Sequence, residues 1–422
     1  MDKHESIAPL LENIRYFVKW TVISLAMGGI VGLIGSVFGR GVAFATRLWQ
    51  DYHGTVFFMP VAGLLIVWLY RVFHEEKSKG TNQVLESISA HEDISLATAF
   101  LIFVSTILSQ SVSASVGREG AALQLGGSLG NFFGKLLRFD EKEKKIVIMC
   151  GMSACFSALF GTPLTAAVFS LEVIGIGTMY YAALVPCLFS SFIGGAIARN
   201  MGLPPEHYPV GPIPEFHMKG AAFVVMMGIL CALVGILLCQ ALHKSESLYQ
   251  KYLPNPYLRV LAGSGVYILL SLIFSSRDYN GGGLHLIERC FEGGAVPYYA
   301  FLMKIVFTAV VLGAGFKGGE IVPTLCVGAT FGYTAASVFA APPGLSCAVG
   351  MACLFVSVTN CPISTLLMAF ELFGYEAMPY FALAIAVSFT LSGYYGLYHS
   401  QKFICSKIRL EPYEAGESHT DV

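Results

Sequence analysis

The chain has 422 residues, of which 55% are hydrophobic and 13% charged, with mean hydropathy +0.66. A water-soluble domain carries about a quarter charged residues, so much of this chain's surface must face lipid. The formal net charge of −1 leaves no basic footprint for nucleic acid.

The first residues, Met1–Arg15, are polar and mixed in sign and do not read as a signal peptide. Charge-free stretches then follow at Trp20–Gly39, Thr55–Tyr70, Ser95–Gly117, Ile146–Leu171, Val173–Ala198, Gly220–Leu242, Val260–Ser276, Ile321–Phe370 and Ala377–Tyr398. A spanning helix needs about 20 apolar residues, and several of these stretches reach that length. Ile321–Phe370 runs 50 residues without a charge but is interrupted by Pro323, Pro342-Pro343-Gly344 and Pro362. It is expected to form several short helices. Irregular backbone at membrane depth is tolerated only inside protein or along a watery cavity, so broken, glycine-rich segments point to a transport pathway. The 11 cysteines lie mostly in apolar runs without a CxxC pair and are expected to pack as small apolar residues. The polar ending Glu411–Val422 is expected to be a disordered tail without a regulatory domain.

Self-comparison shows an internal repeat. Gly151–Gly175 and Gly350–Gly374 align without gaps at an offset of 199 residues, matching Gly151, Met152, Phe156, Pro163, Glu172 and Gly175 with Gly350, Met351, Phe355, Pro362, Glu371 and Gly374. Gly117–Gly130 meets Gly319–Gly332, and Gly80 and Glu86 meet Gly282 and Glu288, both at offset 202. Three blocks in one order indicate duplication, with a first transmembrane repeat at 1–210, a second at 211–410 and the tail at 411–422. Broken helices at matching places in two halves place a transport site at the repeat interface.

Within the repeat, Gly117-Arg118-Glu119-Gly120 opens an apolar stretch. A glycine-rich turn feeding a helix leaves amides free at the helix start, where the dipole adds about half a positive charge. An anion is favoured there. Glu119 supplies a carboxylate that would compete for that place when ionised and vacate it when protonated; an interfacial Arg–Glu pair is the plainer reading. Gly318-Gly319-Glu320-Ile321-Val322-Pro323 has the same character. Thr81 or Asn82 would cap a helix or donate to an anion. Glu172 and Glu371, inside apolar runs, read as buried structural carboxylates satisfied by helix ends. Tyr394, Tyr395 and Tyr398 would form an interfacial belt unless a phenol turns inward. HExxH and P-loop patterns are absent, so no enzyme and no cofactor are expected.

Together these segments resemble the CLC family of chloride channels and anion/proton antiporters over about residues 75–400. GREGA at Gly117–Ala121 resembles the family's GREGP, with Ala121 for the usual Pro; GFKGGEIVPTLCVGATFG at Gly315–Gly332 resembles its second anion-binding segment. GTNQVLE at Gly80–Glu86 stands where GSGIPE belongs, and SGYYGLY at Ser392–Tyr398 resembles the segment with the anion-coordinating tyrosine. The resemblance implies an all-α polytopic membrane protein, an inverted repeat of broken transmembrane helices. It further implies a homodimer in the plasma membrane with one anion pathway per subunit. Glu119 would be the gating glutamate. Thr81, Asn82, Gly117, Arg118, Gly120, Glu320, Ile321, Val322 and Tyr398 would surround the anion, a chloride or fluoride substrate exchanged for protons. Val173 departs from exchangers that carry a second glutamate after the position of Glu172. With Gly318-Gly319-Glu320 it resembles the fluoride/proton branch, whereas the Thr81 hydroxyl and Val322 do not. Chloride coupled to protons is the expectation; fluoride/proton antiport and a passive chloride channel are the alternatives.

Overall fold

In the computed structural model, residues 3–90, 93–274 and 277–409 are described; the tail expected at 411–422 lies outside them. The helices before residue 210 are α1 (Lys3–Asp51), α2 (Met59–Val72), α3 (Thr81–Ser89), α4 (Leu96–Ser111), α5 (Glu119–Leu136), α6 (Glu141–Phe160), α7 (Pro163–Glu172) and α8 (Leu184–Asn200). Those after it are α9 (Met218–Tyr252), α10 (Pro256–Ile273), α11 (Leu284–Phe291), α12 (Ala300–Ala314), α13 (Ile321–Phe339), α14 (Pro343–Thr359), α15 (Pro362–Phe373) and α16 (Met378–Leu391). Two-residue strands at Gly175–Ile176 and Lys402–Phe403 pair in parallel, a small addition to the all-α expectation.

Six helical stretches are long and apolar enough to cross a membrane by length and composition: Leu10–Asp51, His53–Val72, Tyr181–Asn200, Met218–Tyr252, Pro256–Ile273 and Ile321–Phe339. The side chains are arranged for lipid outside. Leu33, Val37, Leu65, Trp68, Leu233, Leu237, Leu269 and Leu272 are exposed, while Ser36, Ser105, Thr106, Ser157 and Ser357 are buried. Such a contiguous apolar exterior suits a bilayer rather than water.

The long charge-free stretches break where local chemistry demands. Ile146–Leu171 becomes the end of α6, a left-handed Gly161, and α7 restarting at Pro163. The matching break in the second half runs through left-handed Asn360 to Pro362. Ile321–Phe370 divides into α13, α14 and most of α15. A left-handed residue ends each helix and a proline in the first turn starts the next.

The matched glycines have a shared packing role. A Cβ on Gly328 would stand 2.6 Å from the Gly350 carbonyl oxygen, and Gly126 is pressed against the Gly151 carbonyl in the same way. Thus α5 crosses α6, and α13 crosses α14, at backbone contact, the close approach that small residues permit when lipid gives no hydrophobic drive.

The inverted relation is fixed by α7 and α15. Glu172, at the end of α7, accepts hydrogen bonds from the Ile363 and Ser364 amides (3.1 and 2.8 Å) and the Ser364 hydroxyl (2.5 Å) at the start of α15. Glu371, near the end of α15, accepts from the Leu164 and Thr165 amides (both 2.9 Å) and the Thr165 hydroxyl (2.7 Å) at the start of α7. Each end caps the other's beginning, so the two helices run in opposite directions. Both carboxylates are structural, as their place in the repeat suggests.

Candidate functional site

The two glycine-rich segments meet. Gly117 and Gly319 exchange both backbone hydrogen bonds, at 2.6 and 2.8 Å, as an antiparallel bridge. This contact brings the starts of α5 and α13 to one place. A Cβ on Gly319 would lie 2.5 Å from the Gly120 nitrogen, so only glycine allows the approach.

At α5 the first in-helix backbone bond runs from the Ala122 amide to the Arg118 carbonyl, 2.9 Å. The Gly120 and Ala121 amides precede it and donate to no protein acceptor among the described residues. At α13 the Thr324 amide reaches the Glu320 carbonyl at 3.0 Å. Pro323 has no N–H to donate, and the Ile321 and Val322 amides, first in the helix, have no acceptor among the described residues. Two helix starts therefore present free donors and positive dipole ends to a common interior.

Carboxylates stand over both starts. Glu119 is fully buried. Its Oε2 accepts the Arg118 amide at 3.1 Å, and Oε1 lies 3.4 Å from Arg118 Nε. Glu320 Oε2 and Thr81 Oγ1 converge on Gly120, 3.4 and 3.5 Å from where its Cβ would be.

On the side of α3, an open cavity of about 480 Å³ is lined by Thr81, Asn82, Gln124, Glu320, Tyr398 and His399 among others. Gln124 Nε2 donates to Thr81 Oγ1 at 3.1 Å, while the Thr81 hydroxyl reaches only a long 3.4 Å contact with the Gly120 carbonyl. The Tyr398 phenol is buried without a hydrogen-bond partner among the described residues, while Tyr394 and Tyr395 are exposed. A buried hydroxyl with no protein partner costs stability unless a ligand or water uses it. Its segment is held rigidly: Leu397 donates to the Val358 carbonyl at 2.8 Å, and Gln401 Nε2 to the Thr359 carbonyl at 2.8 Å.

Three side chains have protein partners of their own. The Arg118 guanidinium is not directed at an anion position, because Nη2 pairs with Glu206 at 2.6 Å while Nε faces Glu119. Asn82 is a clamp: its side-chain carbonyl accepts the Ser400 amide at 3.1 Å. Neither Thr81 nor Asn82 caps α3, since Gly80 at φ +64° occupies the cap position without a side chain to do so. The structure brings together Thr81, Asn82, Gly117, Glu119, Gly120, Glu320, Ile321, Val322 and Tyr398. Gln124, Glu206 and Ser400 were not anticipated; Gln124, an amide in an apolar stretch, carried the only local signal. Val173 is buried with no polar group of its own. No group of three or more His, Cys, Asp or Glu suited to a metal occurs among the described residues.

The family model described as voltage gated chloride channel matches residues 62–393. A chloride/fluoride channel protein of Pseudomonas syringae pv. tomato is 33% identical over 405 residues, covering 94% of this chain and 89% of its own. A voltage-gated ClC-type chloride channel, ClcB, of Salmonella typhimurium is 24% identical, covering 78% and 81%. The crystal structure of a CLC-type fluoride/proton antiporter superposes with TM-score 0.88 at 28% identity, covering 92% of this chain and 98% of the other. A slow cyanobacterial Cl⁻/H⁺ antiporter shares the fold, with TM-score 0.76 at 18% identity. With facing helix starts at the repeat interface and a family match across most of its length, the chain belongs to the voltage gated chloride channel (CLC) family of anion transporters.

Proposed function

We propose that the protein is a fluoride/proton antiporter in which Glu119 is both the gate and the proton carrier. The observation that carries this reading is the Glu119 carboxylate, bonded to the Arg118 amide at the same helix start whose Gly120 and Ala121 amides lack acceptors. Carboxylate and halide compete for one positive end. Protonation removes the charge of Glu119 and with it the attraction, so the side chain leaves and an anion enters. An anion nearby favours the protonated form in turn. The free Ile321 and Val322 amides and the Tyr398 hydroxyl complete the donor set, and Glu320 provides a second carboxylate on the side of α3.

Fluoride is preferred to the chloride first expected for two reasons. Val173 and the Gly318-Gly319-Glu320 sequence are the features that resemble the fluoride branch. The relatives named for fluoride are also similar over nearly the whole chain, at 33% and 28% identity. Chloride remains the second reading, favoured by the Thr81 hydroxyl, whose proton makes only the long 3.4 Å contact. The proposal includes a homodimer in the plasma membrane, built from repeats 1–210 and 211–410.

Vesicles containing the purified protein and loaded with potassium fluoride or chloride would test this reading with an ion electrode and an external pH electrode. Fluoride efflux accompanied by proton uptake, with chloride much slower, is the expected result. Equal rates for the two halides would overturn the ion assignment, and fluoride efflux without a pH change would make the protein a passive channel.

A further inference from the structure

A second cavity, of about 510 Å³, lies between α2, α10 and the end of α12, adjoining the 480 Å³ cavity, with which it shares Glu76 and Lys317. Its floor is apolar, with Ile66 and Val67 from α2 and Ala314 from α12. Its rim carries Arg71, Arg259 and Lys317 together with the carboxylate of Glu76. Arg259 is the least compensated of the three. Arg259 has no ion pair among the described residues, and its buried Nε has no hydrogen-bond partner. The Lys317 ammonium stands 4.9 Å over the Tyr70 ring and likewise has no carboxylate in salt-bridge reach among the described residues. Arg71 has Glu76 at 3.7 Å, both side chains being largely exposed, and Glu246 and Glu320 act on Lys317 from beyond salt-bridge reach.

Three cations around one hollow with a single carboxylate in ion-pair reach are costly unless an anion shares it. The setting specifies what kind. The adjoining helix faces are lipid-facing, with Trp68 on α2 and Leu258 and Leu261 on α10 exposed. Lys77, Lys79, Lys244 and Lys251 lie at the same end of the helices, the end the positive-inside rule assigns to the cytoplasm. Basic hollows between helices at that level suit anionic phosphate groups. We infer that this cavity binds a phosphate ester, the headgroup of an anionic inner-leaflet lipid, with Arg259 as its central contact and the Ile66–Val67 floor receiving the start of the acyl chains. This inference does not depend on which halide is carried.

Native mass spectrometry of the full-length protein in detergent, titrated with phosphatidylglycerol or phosphatidylcholine, tests it. The expected result is retention of phosphatidylglycerol over phosphatidylcholine. Binding should weaken roughly fivefold in Arg259→Gln, the usual effect of one basic residue at an anionic leaflet. Arg259→Lys should restore most of that loss, and Lys142→Gln, on an exposed position elsewhere, should change nothing. If Arg259→Gln does not fold, Arg71→Gln, an exposed position, provides the same reading. Undiminished phosphatidylglycerol binding in the folded variant, or equal retention of phosphatidylcholine, would overturn the proposal. Displacement by inorganic phosphate at equal concentration would transfer the site to free phosphate and overturn the lipid source.

Discussion

Two pairs of helix starts lie inside this protein, related by the same repeat, and they use the same physics to opposite ends. At α7 and α15 every exposed amide pair is met by a carboxylate from the other half: Glu371 covers Leu164 and Thr165, and Glu172 covers Ile363 and Ser364. At α5 and α13 the amides of Gly120, Ala121, Ile321 and Val322 have no such partner among the described residues. The nearby carboxylate Glu119 is instead bonded to the amide of its neighbour Arg118. A helix start whose positive end is permanently matched becomes a joint. One whose match can be removed by a proton is suited to exchange. The difference lies in which element supplies the negative charge and how firmly it is held.

The largest expected effect separates the joint from the site. Glu172→Gln or Glu371→Gln replaces an acceptor with an amide group facing N–H donors, which costs about 1–3 kcal/mol each. Thermal unfolding followed by size exclusion should show both variants less stable, with the ratio of anion to proton flux unchanged. A changed ratio would mean the capping carboxylates take part in transport. A smaller effect of opposite character is expected at Tyr398→Phe. Its hydroxyl has no protein partner among the described residues, so unfolding should be unaffected while halide affinity falls about three- to tenfold, the worth of one hydrogen bond. Calorimetric titration of the halide would read that loss. Smallest is Asn82→Ala, which removes one bond to the Ser400 amide. A stability loss of about 1 kcal/mol with unchanged affinity is expected, and a fall in affinity matching Tyr398→Phe would return Asn82 to the site.

How far these regions were legible in the sequence follows from the range of the interactions. Breaks at Gly161-Thr162-Pro163 and Asn360-Cys361-Pro362 were readable because turn chemistry is local. Glu119 and Glu320 were readable because glycine-rich helix starts recur at one offset. The early end of α4 at Ser111 was not readable, because the following turn is held by distant groups: Gly281 and Tyr267 both donate to the Ser113 carbonyl, at 2.8 and 2.6 Å. The partners of Arg118 and Asn82 were out of reach for the same reason. Glu206 and Ser400 lie 88 and 318 residues away, and no spacing rule reaches that far.

The central claim is that one protonatable side chain and one halide take turns at the start of α5. It is tested most directly by Glu119→Gln in fluoride-loaded vesicles, with fluoride and external pH recorded together. The account predicts that fluoride continues to leave while the pH stays flat, because glutamine neither carries the proton nor competes as a charge. A pH change that keeps its parent ratio to fluoride in this variant would contradict it.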